Sequence, residues 1–234
     1  MIPVLGVPVL DRYDLLEKME ESVDVEVKRY YVLDNGDKYD PFRQEPAWAE
    51  QCHVCRPGAN LGFGAGINLM IRANAAVPWW MFTNDDVIFG PGHLKAMAEY
   101  MWQAQGPTVA HLAGLGYSAY AINFEAVERV GWFDESYYPA YVEDCDWNWR
   151  AKLIGGVTII DIPGTSFHAG SQTIGGSSER RRANDRTYAR NKDYHRSKWG
   201  SEPWEEKFET PFNGGGDPSS TTAPRLSRLR DLAW

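Results

Sequence analysis

Two clusters of acids carry most of the chemistry that this sequence could perform. Asn84-Asp85-Asp86 follows an apolar run, and Glu143-Asp144-Cys145-Asp146 places three acids within four positions. Carboxylates held this close raise each other's pKa unless a cation sits between them. Mg²⁺ or Mn²⁺, which take oxygen ligands and bridge carboxylates to substrate phosphates, would relieve Asp85 and Asp86. An isolated Asp-Asp pair also reads as a solvated turn, so the pair needs context. The second cluster falls at the start of a predicted helix, where the macrodipole favours carboxylates and one or two acids would serve as ordinary caps. Three exceed what capping needs, and one held among Trp and Tyr becomes a candidate general base. His168, in Thr165-Ser166-Phe167-His168-Ala169-Gly170, reads as a structural residue unless it stands beside Asp86, where imidazole with carboxylate oxygen suits Mn²⁺.

The elements that must position these residues alternate in the βαβ manner, which predicts a mainly parallel Rossmann-like sheet in a three-layer α/β/α domain. Strands are predicted at 4–10, 25–33, 53–56, 79–83, 108–112, 117–123 and 157–161. Helices are predicted at 13–22, from the glycine-rich stretch GANLGFGAG through Ile71, from Pro91-Gly92 to about 105, and at 125–130, 144–154 and 183–199. The polar stretch 37–50 reads as loop with a turn of helix near Trp48. In an open parallel sheet, ligands bind beyond the carboxyl ends of the strands. Asp11, Asp34-Asn35-Gly36 and Asn84-Asp85-Asp86 all sit at such ends.

The glycines of GANLGFGAG permit close backbone approach before a helix whose first amides could receive an anion, but the spacing is not GxGxxG and follows the third strand, not the first. Cys52-His53-Val54-Cys55 lacks a second ligand pair for zinc and reads as a short buried strand with two small thiols.

The 234 residues, 43% hydrophobic and 24% charged, suffice for one catalytic domain with a full core. A net charge of -8 argues against general nucleic-acid binding. The charge is uneven, with eight Lys and Arg against three acids between Glu179 and Gly200, and Arg182, Arg186 and Arg190 sharing a helix face. This face could steer an anion or stand solvated. Three cysteines are too few for a disulfide framework, and no run approaches the length of a membrane span, so the expectation is a cytoplasmic protein. Residues 213–224 turn to Gly, Ser, Thr and Pro and read as linker, which divides the chain into a domain over 1–200 and a C-terminal extension over 201–234. The Arg-, Leu- and Trp-bearing tail 225–234 could dock on this chain or another.

Four segments in this order resemble the inverting GT-A glycosyltransferases of family two. They are Val32-Leu33-Asp34-Asn35-Gly36, the stretch from Asn60 to Asn68, Asn84-Asp85-Asp86-Val87 as a variant Asp-x-Asp motif, and Gly131-Trp132-Phe133-Asp134-Glu135 leading to Glu143-Asp144-Cys145-Asp146. The resemblance spans roughly residues 2–200. It implies a nucleotide-diphosphate sugar as donor and a divalent metal, with inversion at the transferred sugar. By the same resemblance Asp34 contacts the nucleotide base, and Pro8, Asn60, Gly62, Asn68, Asn84 and Asp85 line the donor pocket. Asp86 and His168 would hold the metal, and Asp144 would be the catalytic base. Asn84 departs from the motif's usual Asp and removes one negative charge from the metal site. The acceptor, whether glycan, protein or small molecule, is not fixed by these residues.

Two other readings compete. A nucleotidyltransferase would carry a glycine-rich loop with a basic residue directly after the first strand, and Val9-Leu10-Asp11-Arg12-Tyr13 has no glycine. A non-catalytic carbohydrate- or nucleotide-sugar-binding module would suit the ten tryptophans, although core packing explains most of them equally well.

Overall fold

The computed structural model describes residues 1–40, 42–168 and 178–219. Ala169 and Gly170 of the histidine motif, the side chains of Arg180 and Arg181, the last linker residues 220–224 and the tail 225–234 lie outside the described residues. The elements run β1 (Ile2–Val9), α1 (Tyr13–Glu21), β2 (Val27–Asp34), β3 (Ala49–Cys55), α2 (Phe63–Ala73), β4 (Trp79–Thr83), β5 (Val87–Ile88), α3 (His93–Gln103), β6 (Thr108–Leu112), β7 (Ala119–Asn123), α4 (Phe124–Val130), α5 (Glu143–Ile154), β8 (Thr158–Ile162), β9 (Phe167–His168) and α6 (Ser178–Trp199).

Seven strands form one sheet in the order β3-β2-β1-β4-β7-β6-β8, parallel except for β7, which is antiparallel to both neighbours. Helices cover both faces, so the central strands are buried on both sides and read as continuous apolar runs. Successive residues of β1 serve opposite faces. Leu5, Val7 and Val9 join Leu16 and Met19 of α1 and Leu94 and Met97 of α3, while Val4 faces Ile67 and Met70 of α2. The expected three-layer α/β/α architecture with a mainly parallel sheet is what the chain forms. Among the described residues no helix is long and apolar enough to cross a membrane.

The differences from expectation are local. No helical turn forms at Trp48; its indole Nε1 donates to the Glu20 carbonyl at 3.0 Å and its ring packs edge-on against Tyr30. The third strand begins at Ala49, four residues early, and it is not buried. It is the sheet's edge, with Glu50 and Gln51 in solvent, so polar residues that read as loop are the exposed face of a strand. The predicted strand at 117–123 opens instead with a 3₁₀ turn over Gly116–Ser118. The two-residue strands β5 and β9 were not foreseen. They pair antiparallel as a separate ribbon that sets Val87 opposite His168.

One buried carboxylate ties α5 to α6. Asp146 is fully buried, and it accepts from Arg150 Nε at 2.9 Å and Trp199 Nε1 at 2.7 Å, with Lys198 Nζ at 2.6 Å. Arg150 also donates to the carbonyls of Val130 and Trp132, both at 2.8 Å, and Lys198 pairs with Asp134 at 2.6 Å. Burial works to raise the Asp146 carboxyl, but Arg150 and Lys198 outweigh it and hold the group below the usual carboxylate range. Burial opposes the Asp134 carboxylate too, and Lys198 brings that group down to about 2.

Past Gly200 the chain stays on this body. Lys207 and Phe208 donate their amides to the Trp199 carbonyl, and Trp149 Nε1 reaches the Phe208 carbonyl at 3.0 Å. Removing one partner from a buried, hydrogen-bonded ion network strands the others. Asp146→Ala is therefore expected to lower stability by about 3–5 kcal/mol in urea unfolding at neutral pH; a loss below about 1 kcal/mol would mean that the network carries little of the α5–α6 junction.

Candidate active site

The carboxyl end of the sheet opens into a cleft of about 590 Å³. Five of the expected site residues line it together: Asn84, Asp85, Asp86, Asp144 and His168. Asn84 follows β4 directly, and its amide donates to the Ser118 carbonyl at 2.8 Å. The β5–β9 ribbon then returns His168 to Asp86, with Nε2 and Oδ1 2.7 Å apart and Asn84 Nδ2 3.5 Å from the same ring nitrogen. The Asp86 hydrogen bond raises the His168 pKa above its ordinary value, against the effect of burial.

The ribbon is anchored from behind by buried His93. Its Nδ1 lies 2.8 Å from Ser166 Oγ, its Nε2 lies 2.7 Å from the Ile162 carbonyl, and Ser166 Oγ accepts from the Gly90 amide at 2.9 Å. Gly164 passes directly over this imidazole, where a Cβ would fall 2.2 Å from the ring.

Three neighbouring acids meet three environments at the start of α5. Asp146 is the buried ion-network member already described, which removes it as a base for substrate. Glu143 is 4% exposed, and its Oε2 has no hydrogen-bond partner among the described residues. Burial first, and then the charge of Asp144, push its carboxyl well above the usual range, which favours the neutral form. Asp144 is half-buried at the cleft wall, oriented by the Cys145 amide, which donates to its Oδ1 at 2.9 Å.

The chain reaches this point under strain. Tyr141 and Val142 have φ of 80° and 77°, a region costly for any residue with a Cβ and most of all for a β-branched one. Asn191 of α6 holds the approach by donating Nδ2 to the carbonyls of Ala140 (2.8 Å) and Tyr141 (3.1 Å).

The remaining expected site residues do not line this cleft. Asp34, at the end of β2, is buried and accepts from Tyr13 Oη, the Tyr39 amide (2.9 Å) and Arg56 Nε (3.2 Å). Burial opposes its charge, but these donors hold it below the usual range. Pro8 pairs with Leu33 on β1 near the same sheet edge. In the glycine-rich stretch, the amides of Leu61, Gly62 and Phe63 are taken by Asn35 Oδ1, Asn60 Oδ1 and the Pro139 carbonyl, so these three amides are not an open anion cradle. Gly62, at φ 80°, lies so close to Pro139 that a Cβ would fall 2.5 Å from its oxygen. Asn68 is buried. Its amide donates to the Phe133 carbonyl and to Glu135 and accepts from the Phe133 amide, stapling α2 to the segment that leads into α5. Any part of Asn68 in ligand binding is through that segment.

The cleft also contains residues that the sequence reading did not assign to the site: Tyr117, Tyr141, Tyr188, Lys192, Glu202 and Trp204. The spacing of Tyr188 and Lys192, four apart on a helix, was the available signal for two of them.

No protein-family model matches the chain. A galactofuranosyl glycosyltransferase of Leishmania donovani is 38% identical over 66 residues, which is 27% of this chain and 15% of the relative. Among solved structures, S. aureus TarS superposes with a TM-score of 0.54 at 12% identity, over 73% of this chain and 37% of that one. Glucosyl-3-phosphoglycerate synthase of Mycobacterium tuberculosis, solved with Mg²⁺ and UDP, gives 0.51 at 14%, over 77% and 76%. The mannosyltransferase PcManGT of Pyrobaculum calidifontis, solved with GDP-Man and Mn²⁺, gives 0.50 at 13%, over 68% and 55%. The fold is thus the GT-A fold of these glycosyltransferases.

Glu143 yields a pH-dependent prediction. Below the unfolded-state pKa of about 4.3 the group is neutral in both states; above it only the unfolded chain ionises, so wild-type stability falls as pH rises. Glu143→Gln lacks this loss. It is expected to match or trail wild type at pH 4 and to gain on it by about 1–3 kcal/mol at pH 8, as read by urea midpoints. A difference that does not change with pH would place the carboxyl outside this buried, protonated state.

Proposed function

We propose that the chain is a glycosyltransferase that moves a sugar from a nucleotide-diphosphate sugar to an acceptor hydroxyl with inversion of configuration. The observation that carries this reading is the cleft itself, which brings Asn84-Asp85-Asp86, His168 and Asp144 together at the carboxyl end of a GT-A sheet. The glycosyltransferases that share the fold supply further support, since one is solved with GDP-Man and Mn²⁺ and another with UDP and Mg²⁺.

The donor set fits a hard or borderline divalent cation. Asp86 and His168 already approach to 2.7 Å, and among the described residues no three metal-binding side chains cluster tightly enough to enclose an ion. An open set of this kind suits Mg²⁺ or Mn²⁺, which fill their remaining positions with water and substrate phosphate. When bound, the ion would offset charge developing on the leaving diphosphate.

The chain's own residues supply the rest. Asp85 and Asn84 face the donor, and Asp34, Pro8, Asn60 and Gly62 shape the sheet edge against which the nucleotide would lie. The acceptor oxygen attacks the anomeric carbon as the bond to the diphosphate breaks on the opposite face, and Asp144 takes the acceptor proton. Strained backbone and Asn191 fix Asp144 in place, so little reorganisation accompanies proton transfer. The three cysteines are all free, in keeping with a reducing, cytoplasmic setting.

Thermal unfolding with uridine-, guanosine- and thymidine-diphosphate sugars, each with Mn²⁺, Mg²⁺ or chelator, tests the donor site. One nucleotide class is expected to raise Tm by about 5–10 °C at a hundredfold excess over Kd, with loss of the shift in chelator and in Asp86→Ala. Asp144→Asn is expected to keep the shift while turnover falls by about 10²–10⁴. No shift under any condition would leave the non-catalytic module as the better account.

A further inference from the structure

The part of the cleft formed by α6 and the segment after it has a composition of its own. Tyr188 and Lys192 of α6 project from one helix face, and Glu202 and Trp204 come from the segment after Trp199. Trp204 is 68% exposed and Tyr188 46%, although both are large apolar groups at the mouth of a cleft. Exposure of an indole forgoes favourable burial, and Trp204 additionally holds φ at 71°, in the region that favours glycine. Its backbone is nevertheless held. The Trp204 amide donates to Glu206 Oε1 at 2.9 Å, and that oxygen lies 3.1 Å from Nε2 of fully buried His195, whose other nitrogen is 3.0 Å from Tyr137 Oη. The exposed ring is thus displayed on a scaffold that reaches into the α5–α6 core.

The polar groups around it balance. Lys192 Nζ lies 2.6 Å from Glu202 Oε2, and Arg196 pairs with both Glu202 and Asp193. The wall therefore offers a flat apolar ring, an ammonium donor, a carboxylate acceptor and a phenol without excess charge. The exposed guanidinium groups of Arg186 and Arg182 lie away from this face of α6, roughly 160° and 120° around the axis from Tyr188. An apolar face edged by alternating donors and acceptors is the complement of a pyranose, whose C–H face stacks on an indole while its hydroxyls bond at the rim.

We propose that Trp204, with Tyr188 and the Lys192–Glu202 pair, is the acceptor platform of this cleft, and that the acceptor it takes is a neutral saccharide. The inference rests on the glycosyl-transfer reading of the cleft, for it names the second substrate of the same site.

The test uses the full chain, a panel of neutral di- and trisaccharides together with phosphorylated sugars, and saturation-transfer NMR followed by titration, so binding is read without turnover. A saccharide is expected to bind wild type, with Trp204→Ala raising its Kd about tenfold or more and Trp204→Phe about threefold or less. Arg186→Ala, on the far face of α6, is expected to change Kd less than twofold, as surface substitutions remote from a contact typically do. Equal binding by wild type and Trp204→Ala overturns the proposal. So does a panel in which nothing neutral binds, or one in which only phosphorylated sugars bind and Arg186→Ala loses them. Nucleotide binding is measured separately. Saccharide binding that needs Trp204 in a protein indifferent to every nucleotide sugar would sustain the platform and remove the transferase reading, and the converse result would do the reverse.

Discussion

The position of Asp144 depends on the charge buried two residues after it. Asp146 cannot be solvated where it lies, so it must be met by Arg150, Lys198 and the Trp199 indole together, and those partners come from two helices and reach the carbonyls of a third segment. A carboxylate with several charge-assisted bonds tolerates little displacement. The network therefore fixes the rotation of α5 about its axis and the angle at which α6 crosses it. Because Asp144 follows Glu143 at the first turn of α5, its direction into the cleft is set by a side chain that never touches the cleft.

The same junction bears the strain at Tyr141 and Val142. Positive φ at two successive residues with side chains is sustained only where surrounding contacts over-determine the backbone. Asn191 supplies two of those contacts and Asn68 braces the segment ahead of them, while Arg190 reaches the Tyr138 carbonyl. Helix α6 thus acts at three depths. Its inner face carries Lys198 and Trp199 to Asp146, its middle holds the loop before α5, and its cleft face presents Tyr188 and Lys192. One long polar helix with little amphipathic character is explained by these duties better than by packing of an apolar stripe.

Elements whose burial matches their periodicity were legible in the sequence. β4 and β6, buried on both faces, appear at the expected residues, and the acids after β4 and at the start of α5 line one cleft. Edge strand β3 was read short because its outward residues are polar, and ribbon β5–β9 was invisible because two residues carry no periodicity. His168 meets Asp86 through that unseen ribbon, so their proximity could be inferred only from resemblance. Nothing local distinguishes Glu143, Asp144 and Asp146 either. Their separation into an unpartnered buried acid, a cleft carboxylate and a buried ion pair follows from long-range partners. Trp204 escaped notice because it lies in a stretch with no regular pattern beyond the last helix.

The site brings Asp85, Asp86 and His168 together with the fixed carboxylate of Asp144 in one cleft. The proposed nucleotide-sugar chemistry would use both, the diphosphate bringing a cation to Asp86 and His168 and the sugar lying towards Asp144. The most direct measurement is a crystal structure of the protein with a nucleoside diphosphate and Mn²⁺. The account predicts anomalous density for one ion shared by Asp86, His168 and the diphosphate, with the nucleoside along the β1–β2 sheet edge near Asp34 and Asp144 facing the phosphate end of the ligand. An ion or nucleotide bound elsewhere, with Asp86 and His168 still paired to each other, would contradict it.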